Sequence, residues 1–524
     1  MPLRLLRQLM STMILTAALP ASAEVAWPET RYAADIPTVE AVLGYSSGER
    51  ITWSHDVRRY FEALKAAAPE QVMIEDIATS WEGRQLFYAA ISSPANMARV
   101  AEVQAGMRQL MDPETSRSEA AELINGLPAV TWLAYGVHGN EISSSDAAMM
   151  TAYHLLAARD EARVADILED SIVVLVPMQN PDGRDRFIHR FETALGLEPS
   201  SDRLSAEHNE PWPAGRTNHY LFDLNRDWFI RTQPETRGHA DAVREWLPVA
   251  FVDLHEMGSD STYYFAPEAV PYNPHLARDQ RASLQLFGRN NARWFDQFGI
   301  DYFTREVYDA FYPGYGASWP SYFGSVAMTY EQASSRGLLV RQYDGIEVPY
   351  EQTVRNHFLT SLATAETVAV NRGKLLEDFR AYQLSAIEEG RKEDVRAFVI
   401  PAQVDQDGVD RLGALLAAQG ARVERATGDF KACGRAFGAG SLVINLDQPA
   451  KRMLRTLLDR DVPMDPDFVA EQERLHAKNL PDEMYDVTAW SLPMLFNLDS
   501  VTCGRRVQTD TTSVSGDVLP ALPA

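Results

Sequence analysis

The chain has 524 residues, of which 45% are hydrophobic and 10% aromatic, and it contains two cysteines. This length predicts about two to four domains with at least one large buried core, and the composition excludes a largely disordered chain. The formal net charge of −24 argues against a nucleic-acid partner, since an acidic protein repels phosphate backbones. Two cysteines are too few for a disulfide-dense scaffold or a Cys-rich zinc module.

Residues 1–23 have the pattern of a secretory signal peptide. Arg4 and Arg7 form a positive start, an apolar run follows, and small residues at 21–23 provide a cleavage site. The apolar run is too short to span a bilayer, and no later stretch reaches about 18 uninterrupted apolar residues. We therefore expect a secreted or periplasmic protein without a membrane span, whose net charge becomes −26 when the two arginines are removed.

Residues 24–375 alternate apolar strand-like runs with helical runs, which predicts an α/β domain with a mixed sheet of mostly parallel strands flanked by helices. The predicted strands and the helix between them cover residues 127–135, 141–158, 171–177 and 248–254. Polar loops follow these strands directly. In open α/β sheets the ligand crevice lies beyond the carboxyl ends of the strands, so we expect the functional residues there.

Residues 395–490 predict a second, smaller α/β domain without recognisable chemistry. The last residues, 506–524, are rich in Thr, Ser, Val and Pro, which is typical of a flexible tail. Cys433 and Cys503 could form a disulfide in an oxidising compartment, and two unpaired buried thiols are the alternative.

Two histidines and a glutamate have the residue types of a zinc site. His138 and Glu141 form an H-x-x-E pair after one strand, and His255 follows another. Together they would make the His₂Glu set that catalytic zinc uses, with a fourth position open for water. An H-x-x-E pair alone often occurs by chance, and the H-E-x-x-H motif is absent because residue 259 is Ser.

Several motifs in order and at the right spacing make the sequence resemble the M14 zinc carboxypeptidases over about residues 35–370. The matching segments are TSWEGR at 79–84, HGNE at 138–141, NPDG at 180–183 and DLNRDW at 223–228. His255 lies 117 residues after His138, where the family has its third zinc ligand, and Glu331 lies 76 residues further on, where it has its general base.

The resemblance implies one zinc ion per chain, bound by His138, Glu141 and His255. It implies that Glu331 accepts a proton from the attacking water and passes it to the leaving amine. The substrates would be the C-termini of peptides or proteins, with Asn225 and Arg226 holding the terminal carboxylate.

Two further roles implied by the resemblance have more than one candidate. For the cation that stabilises the oxyanion we predict Arg216, with Arg190 as the alternative. For a mobile tyrosine that covers the substrate we predict Tyr312, and Tyr308 and Tyr315 lie in the same loop.

One difference from the digestive members bears on the substrate. Asn140 stands where they have an arginine, and HGNE also occurs in the succinylglutamate desuccinylase/aspartoacylase branch. The main hypothesis is therefore a zinc metallocarboxypeptidase, and a zinc amidohydrolase of N-acyl amino acids is the alternative. A third hypothesis is a peptide-binding relative without activity, although such a protein would be expected to lack a ligand or the base.

Overall fold

The computed structural model describes residues 30–516, and the predicted signal peptide at 1–23 lies outside them. A seven-stranded sheet has, from edge to edge, the strands β1 (Val72–Thr79), β2 (Gln85–Ile91), β4 (Ser171–Val176), β3 (Ala129–Tyr135), β5 (Ala250–Met257), β9 (Val326–Ala333) and β6 (Tyr263–Tyr264). Its four strands β4, β3, β5 and β9 are parallel, and β1, β2 and β6 join them as antiparallel strands. The predicted α/β class with a mostly parallel sheet is confirmed.

The strands in chain order are β1 (Val72–Thr79), β2 (Gln85–Ile91), β3 (Ala129–Tyr135), β4 (Ser171–Val176), β5 (Ala250–Met257), β6 (Tyr263–Tyr264), β7 (Ala269–Tyr272), β8 (Asp309–Ala310), β9 (Val326–Ala333), β10 (Leu339–Arg341), β11 (Glu347–Pro349), β12 (Ala397–Ile400), β13 (Glu424–Ala426), β14 (Phe430–Ala432), β15 (Arg435–Phe437), β16 (Leu442–Asn445), β17 (Val501–Cys503) and β18 (Thr511–Ser513).

The helices in chain order are α1 (Val39–Leu43), α2 (Ser54–Ala67), α3 (Pro94–Met97), α4 (Val100–Met111), α5 (Arg117–Gly126), α6 (Ser143–Ala157), α7 (Ala162–Asp170), α8 (Pro181–Ala194), α9 (Pro234–Trp246), α10 (Arg278–Phe298), α11 (Tyr350–Val370), α12 (Arg372–Lys392), α13 (Gln406–Ala418), α14 (Lys451–Leu458), α15 (Pro466–Ala477) and α16 (Leu492–Leu495). None of the helices within residues 30–516 has the length and apolar character needed to cross a membrane.

Helices cover both faces of the central sheet, as the side chains of β3 demonstrate. Successive residues of a strand point to opposite faces. Trp132 donates through its indole to His239 of α9, whereas the hydroxyl of Tyr135 donates to Ser361 of α11. Every residue of β3 and β4 is buried, as expected for central parallel strands, and this explains why both strands read as continuous apolar runs.

The C-terminal part of the chain forms a five-stranded sheet in the order β17-β12-β16-β13-β18, and all of its strand pairs are antiparallel. It extends beyond the predicted limits of 395–490. Within the tail predicted to be flexible over 506–524, residues 511–513 form β18 and pair with β13, and residues 517–524 lie outside the described residues. Such three-residue strands acquire their hydrogen bonds from distant partners, so local composition does not reveal them.

Cys433 and Cys503 form a disulfide, with their Cα atoms 5.3 Å apart, which is a normal spacing for this bond. It connects the turn between β14 and β15 to β17. Of the two alternatives for these residues, pairing is the one found in the structure.

The C-terminal unit is hydrogen-bonded to the segment that follows Arg226. The side chain of Gln419, at the end of α13, donates to the carbonyl of Phe229 at 2.8 Å. The guanidinium of Arg231 donates to the carbonyl of Ala418 at 2.8 Å. The C-terminal unit therefore supports the backbone next to the predicted carboxylate-binding residues.

Candidate metal centre

His138, Glu141 and His255 meet at the carboxyl ends of the parallel strands. The turn after β3 carries His138 and Glu141, and β5 carries His255. The ligand atoms of the three residues all lie within 4.8 Å of one another. Glu141 is at the centre, with Oε1 2.6 Å from Nδ1 of His138 and Oε2 3.0 Å from Nδ1 of His255.

A carboxylate faces the second ring nitrogen of each histidine. Asp223 Oδ1 lies 2.9 Å from Nε2 of His138, and Asp253 Oδ2 lies 2.9 Å from Nε2 of His255. Such contacts orient an imidazole so that its other nitrogen is presented to a metal. The sequence motifs assign no role to these two aspartates, although Asp253 is a charged residue in an otherwise apolar strand.

The donor set fits a zinc ion. Two imidazole Nδ1 atoms and a carboxylate converge, all three residues are buried, and both outer nitrogens are already engaged. Two histidines and one glutamate form a catalytic type of zinc site, because three protein ligands leave one position of a tetrahedron free. Burial opposes ionisation of Glu141, but the neighbouring imidazoles hold the pKa of this carboxyl well below its usual range. Glu141 is therefore a carboxylate, the form that binds metal.

Asp253→Asn should weaken zinc binding by about 10- to 100-fold, the usual cost of losing the outer partner of a histidine ligand. The substitution keeps the size of this fully buried side chain but removes the negative charge facing His255. Competition with a chelator measures the zinc affinity, and the thermal unfolding of the metal-free protein serves as the control for folding. An unchanged zinc affinity would mean that Asp253 fills space in the core and does not support His255 as a ligand.

Glu331 lies beside the cluster because β5 and β9 are parallel neighbours in which His255 is paired with Glu331. The glutamate side chain is buried, with 6% of its surface exposed. Burial, assisted by the charge of Glu141, raises the pKa of Glu331 above its usual range, although His255 and Arg216 act in the opposite direction. A partly desolvated carboxyl of this kind is suited to taking up a proton.

Arg216 reaches the metal cluster, whereas Arg190 does not. The Arg216 guanidinium donates to Oε1 of Glu141 at 3.4 Å and to Oδ2 of Asp223 at 3.0 Å. Arg190 is on the surface, where it donates to the carbonyl of Ala206. Of the two arginines considered for the oxyanion, Arg216 is the one that the fold brings to the cluster.

Asn225 and Arg226 both lie close to the cluster, but their side chains already contact other parts of the protein. Asn225 Oδ1 accepts a hydrogen bond from the amide of Gly316 at 2.7 Å, and its Nδ2 lies 3.4 Å from Nε2 of His255. Arg226 donates to the carbonyl of Asn225 at 2.8 Å and pairs with Asp486 of the C-terminal unit.

The three tyrosines of the loop 308–315 differ in their contacts. Tyr312 is buried, and its hydroxyl donates to the carbonyl of Arg226 at 3.0 Å, so it supports the backbone of that residue. The ring of Tyr315 lies under the Arg226 guanidinium at 4.7 Å. Tyr308 contacts Tyr264, which is paired with Glu331 across β6 and β9.

The other motifs hold together the loops that carry the site. In TSWEGR, Ser80 donates to Asp182 of NPDG at 2.7 Å, and Arg84 pairs with the same carboxylate at 2.8 Å. Asn180 caps α8 and donates to the carbonyl of Arg216 at 3.1 Å. A Cβ atom on Gly139 would approach the Gly183 backbone to 2.1 Å, so glycine is required where HGNE crosses NPDG.

A cavity of about 440 Å³ lies beside the cluster, a size typical of small-ligand sites. Its walls include Glu141 and Arg216 on the side of the metal ligands and Ser259, Asp260 and Arg336 on the other. The cluster therefore borders a space that can receive part of a substrate.

The chain matches a known family in its sequence. Residues 57–292 match the family Peptidase_M14, described as zinc carboxypeptidase. This range contains His138, Glu141 and His255, and Glu331 follows it. No curated protein matches the sequence.

Solved structures with a similar fold include three carboxypeptidases. The metallo-carboxypeptidase of Burkholderia cenocepacia is 14% identical, with 61% of this chain and 68% of that chain covered and a TM-score of 0.40. A metallo-carboxypeptidase of Pseudomonas aeruginosa is 16% identical, with 61% and 69% covered and a TM-score of 0.41. Carboxypeptidase A of Helicoverpa armigera is 16% identical, with 66% and 76% covered and a TM-score of 0.40.

The family match contains the three residues that meet in the structure, and this family consists of zinc-dependent peptide hydrolases. Residues 57–292 therefore match the zinc carboxypeptidase domain of the M14 family.

Proposed function

We propose that this protein is a zinc metallocarboxypeptidase that hydrolyses the C-terminal peptide bond of peptides or proteins. The observation that carries the proposal is the meeting of His138, Glu141 and His255 next to Glu331 at one edge of the sheet. The N-acyl amino acid amidohydrolase remains an alternative that the experiment below separates.

His138, Glu141 and His255 would hold one zinc ion. When bound, zinc polarises a carbonyl group and lowers the pKa of a water molecule. Glu331 accepts the proton of the attacking water and later donates it to the leaving amine. The burial of Glu331 supports this role, because desolvation makes a carboxylate a better proton acceptor.

Arg216 and Arg226 supply positive charge at two places. The contact of Arg216 with Glu141 supports a role for its guanidinium in stabilising the negative charge that develops on the scissile carbonyl oxygen. Arg226 binds the terminal carboxylate of the substrate through its planar guanidinium, with Asn225 and the tyrosines of the loop 308–315 around it. For the tyrosine that covers the substrate we propose Tyr312, and Tyr308, whose ring contacts Tyr264 next to Glu331, is the alternative.

Digestion of a mixed peptide pool, followed by mass spectrometry, tests the proposal. We expect ladders shortened from the C-terminus, and C-terminally amidated copies of the same peptides should resist. Internal cleavage would contradict the carboxypeptidase assignment, and intact peptides together with cleaved N-acetyl amino acids would support the alternative. A Glu331→Gln variant treated in the same way controls for contaminating proteases.

We propose that the protein acts after export, in the periplasm or outside the cell. The disulfide between Cys433 and Cys503 supports this location, because such bonds persist in oxidising compartments. Cleavage after Ala23 should give a secreted form that begins at Glu24, which N-terminal sequencing can identify. A mature protein that retains Met1 would contradict this prediction.

A further inference from the structure

A segment of the C-terminal unit lies over the proposed carboxylate-binding residue. This segment, residues 481–489, is here called the strap. It follows α15 and ends before Trp490, whose indole donates to the carbonyl of Thr456 at 2.8 Å and whose ring packs on Tyr312 at 5.7 Å. The strap has no helix or strand, and most of its residues are exposed. Trp490 thus anchors the end of the strap, and near its start the amide of Glu483 donates a hydrogen bond to Oε1 of Gln472 in α15 at 2.7 Å.

Two neighbouring residues in the middle of the strap contact Arg226 and the tyrosine loop. The Asp486 carboxylate pairs with Nη2 of Arg226, and it also accepts a hydrogen bond from the hydroxyl of Tyr315 at 3.4 Å. The ring of Tyr485 packs against Tyr308 at 5.3 Å and against Tyr315 at 5.9 Å. The strap therefore covers both the arginine and the tyrosine loop.

The contacts of Asp486 resemble those that a peptide terminus would make. A C-terminal α-carboxylate and the side chain of an aspartate are the same chemical group, and both favour the fork of a guanidinium. Arg226 gives Nη1 to the carbonyl of Asn225 and Nη2 to Asp486. A second carboxylate arriving at the Nη2 side of this guanidinium would compete with Asp486 and meet its like charge.

We propose that the strap is an autoinhibitory element whose Asp486 occupies, on Arg226, the position of the carboxylate of the substrate. This inference rests on the proposed role of Arg226 in substrate binding. A substrate with a free C-terminus must displace Asp486 before it can pair with Arg226. Displacement is feasible, because the ion pair is partly solvent-exposed, with 26% and 32% of the two side chains accessible, and such pairs are weak.

The expected effect follows from competition. The apparent substrate affinity equals the intrinsic affinity multiplied by the fraction of molecules in which the strap is open. Releasing the strap therefore raises the affinity without changing the chemical step. For a partly exposed ion pair we expect an effect of about three- to tenfold.

The first test compares the wild-type protein and Asp486→Asn, as zinc-loaded full-length chains, on a peptide that the wild type shortens. The variant should lower KM by about three- to tenfold and leave kcat within about twofold. Glu483→Gln is the matched control, since it removes one charge from the same exposed segment and should leave KM unchanged. A KM for Asp486→Asn that is unchanged or higher would overturn the proposal.

The second test needs no turnover and separates a failure of the strap from a failure of the proposed function. Hydrogen exchange of residues 482–489 is measured with 3-phenylpropionate and with its neutral analogue 3-phenylpropanamide. The carboxylate should displace Asp486 and accelerate exchange in the strap, whereas the amide should not. Equal exchange with both compounds would overturn the strap proposal even if the enzyme is active, and faster exchange in an inactive protein would count against the proposed function only.

Discussion

Glu331→Gln should lose at least about 100-fold in kcat while the protein retains its zinc, because a proton-transfer group commonly contributes a factor of this size or more. Glutamine has the same shape as glutamate but cannot accept a proton. The position is buried and paired in register with His255, so the substitution changes the chemistry next to the metal ligands and little else. Steady-state kinetics on a cleaved peptide, together with elemental analysis for zinc, measures both parts of the expectation.

Glu268→Gln is the matched control for this substitution. Glu268 is also buried, and burial raises its pKa to about 7. Burial raises the pKa of Tyr264, and the charges of Glu268 and Glu331 raise it further, so the two glutamates lie in the same neighbourhood. We expect Glu268→Gln to keep most of the activity. If Glu331→Gln stays within about tenfold of the wild type, the general base is a different residue.

His255→Ala should reduce the zinc content from about one ion per chain to almost none. Removing an outer partner of a ligand already weakens binding by about 10- to 100-fold, and removing the ligand itself should cost more. The variant also removes a partner of the buried Glu141 carboxylate, which lies 3.0 Å from Nδ1 of His255. Elemental analysis of protein purified without added metal gives the result directly.

His219→Ala is the control for the loss of a histidine. His219 is exposed and pairs with Glu82, away from the metal ligands, so this variant should keep its zinc. Thermal unfolding of His255→Ala in the metal-free state separates loss of the ligand from loss of the fold. Full zinc content in a folded His255→Ala protein would show that the ligand assignment is wrong.

The C-terminal unit contacts the domain that carries the metal ligands, which the sequence does not indicate. The second unit has no recognisable chemistry of its own, yet it contributes Asp486, which pairs with Arg226, and Gln419, which supports Phe229. The two guanidinium groups of Arg216 and Arg226 are local positive charges in a strongly acidic protein, and each is already matched by a carboxylate. In the function proposed above, access of an anionic substrate depends on how readily these pairs open.

The bounds of strands and helices were predictable where the apolar residues recur at a clear strand or helix period. The run 171–177 corresponds to β4 at Ser171–Val176, and the run 141–158 to α6 at Ser143–Ala157. The strand predicted at 248–254 is found at Ala250–Met257, so it extends through His255 and Glu256. Polar residues at the end of a strand resemble a loop in the sequence, although they keep their ladder hydrogen bonds with β9.

The fold class and the residue types of the metal site are predictable from the sequence, because apolar periodicity and motif spacing are properties of the unfolded chain. The folded chain is needed to show which of two arginines reaches the cluster, which aspartates face the histidine ligands, and that Asp486 pairs with Arg226. These are contacts between charged groups far apart in sequence. A carboxylate has the same local signature whether it faces solvent or a guanidinium, so its partner is defined only when the chain has folded.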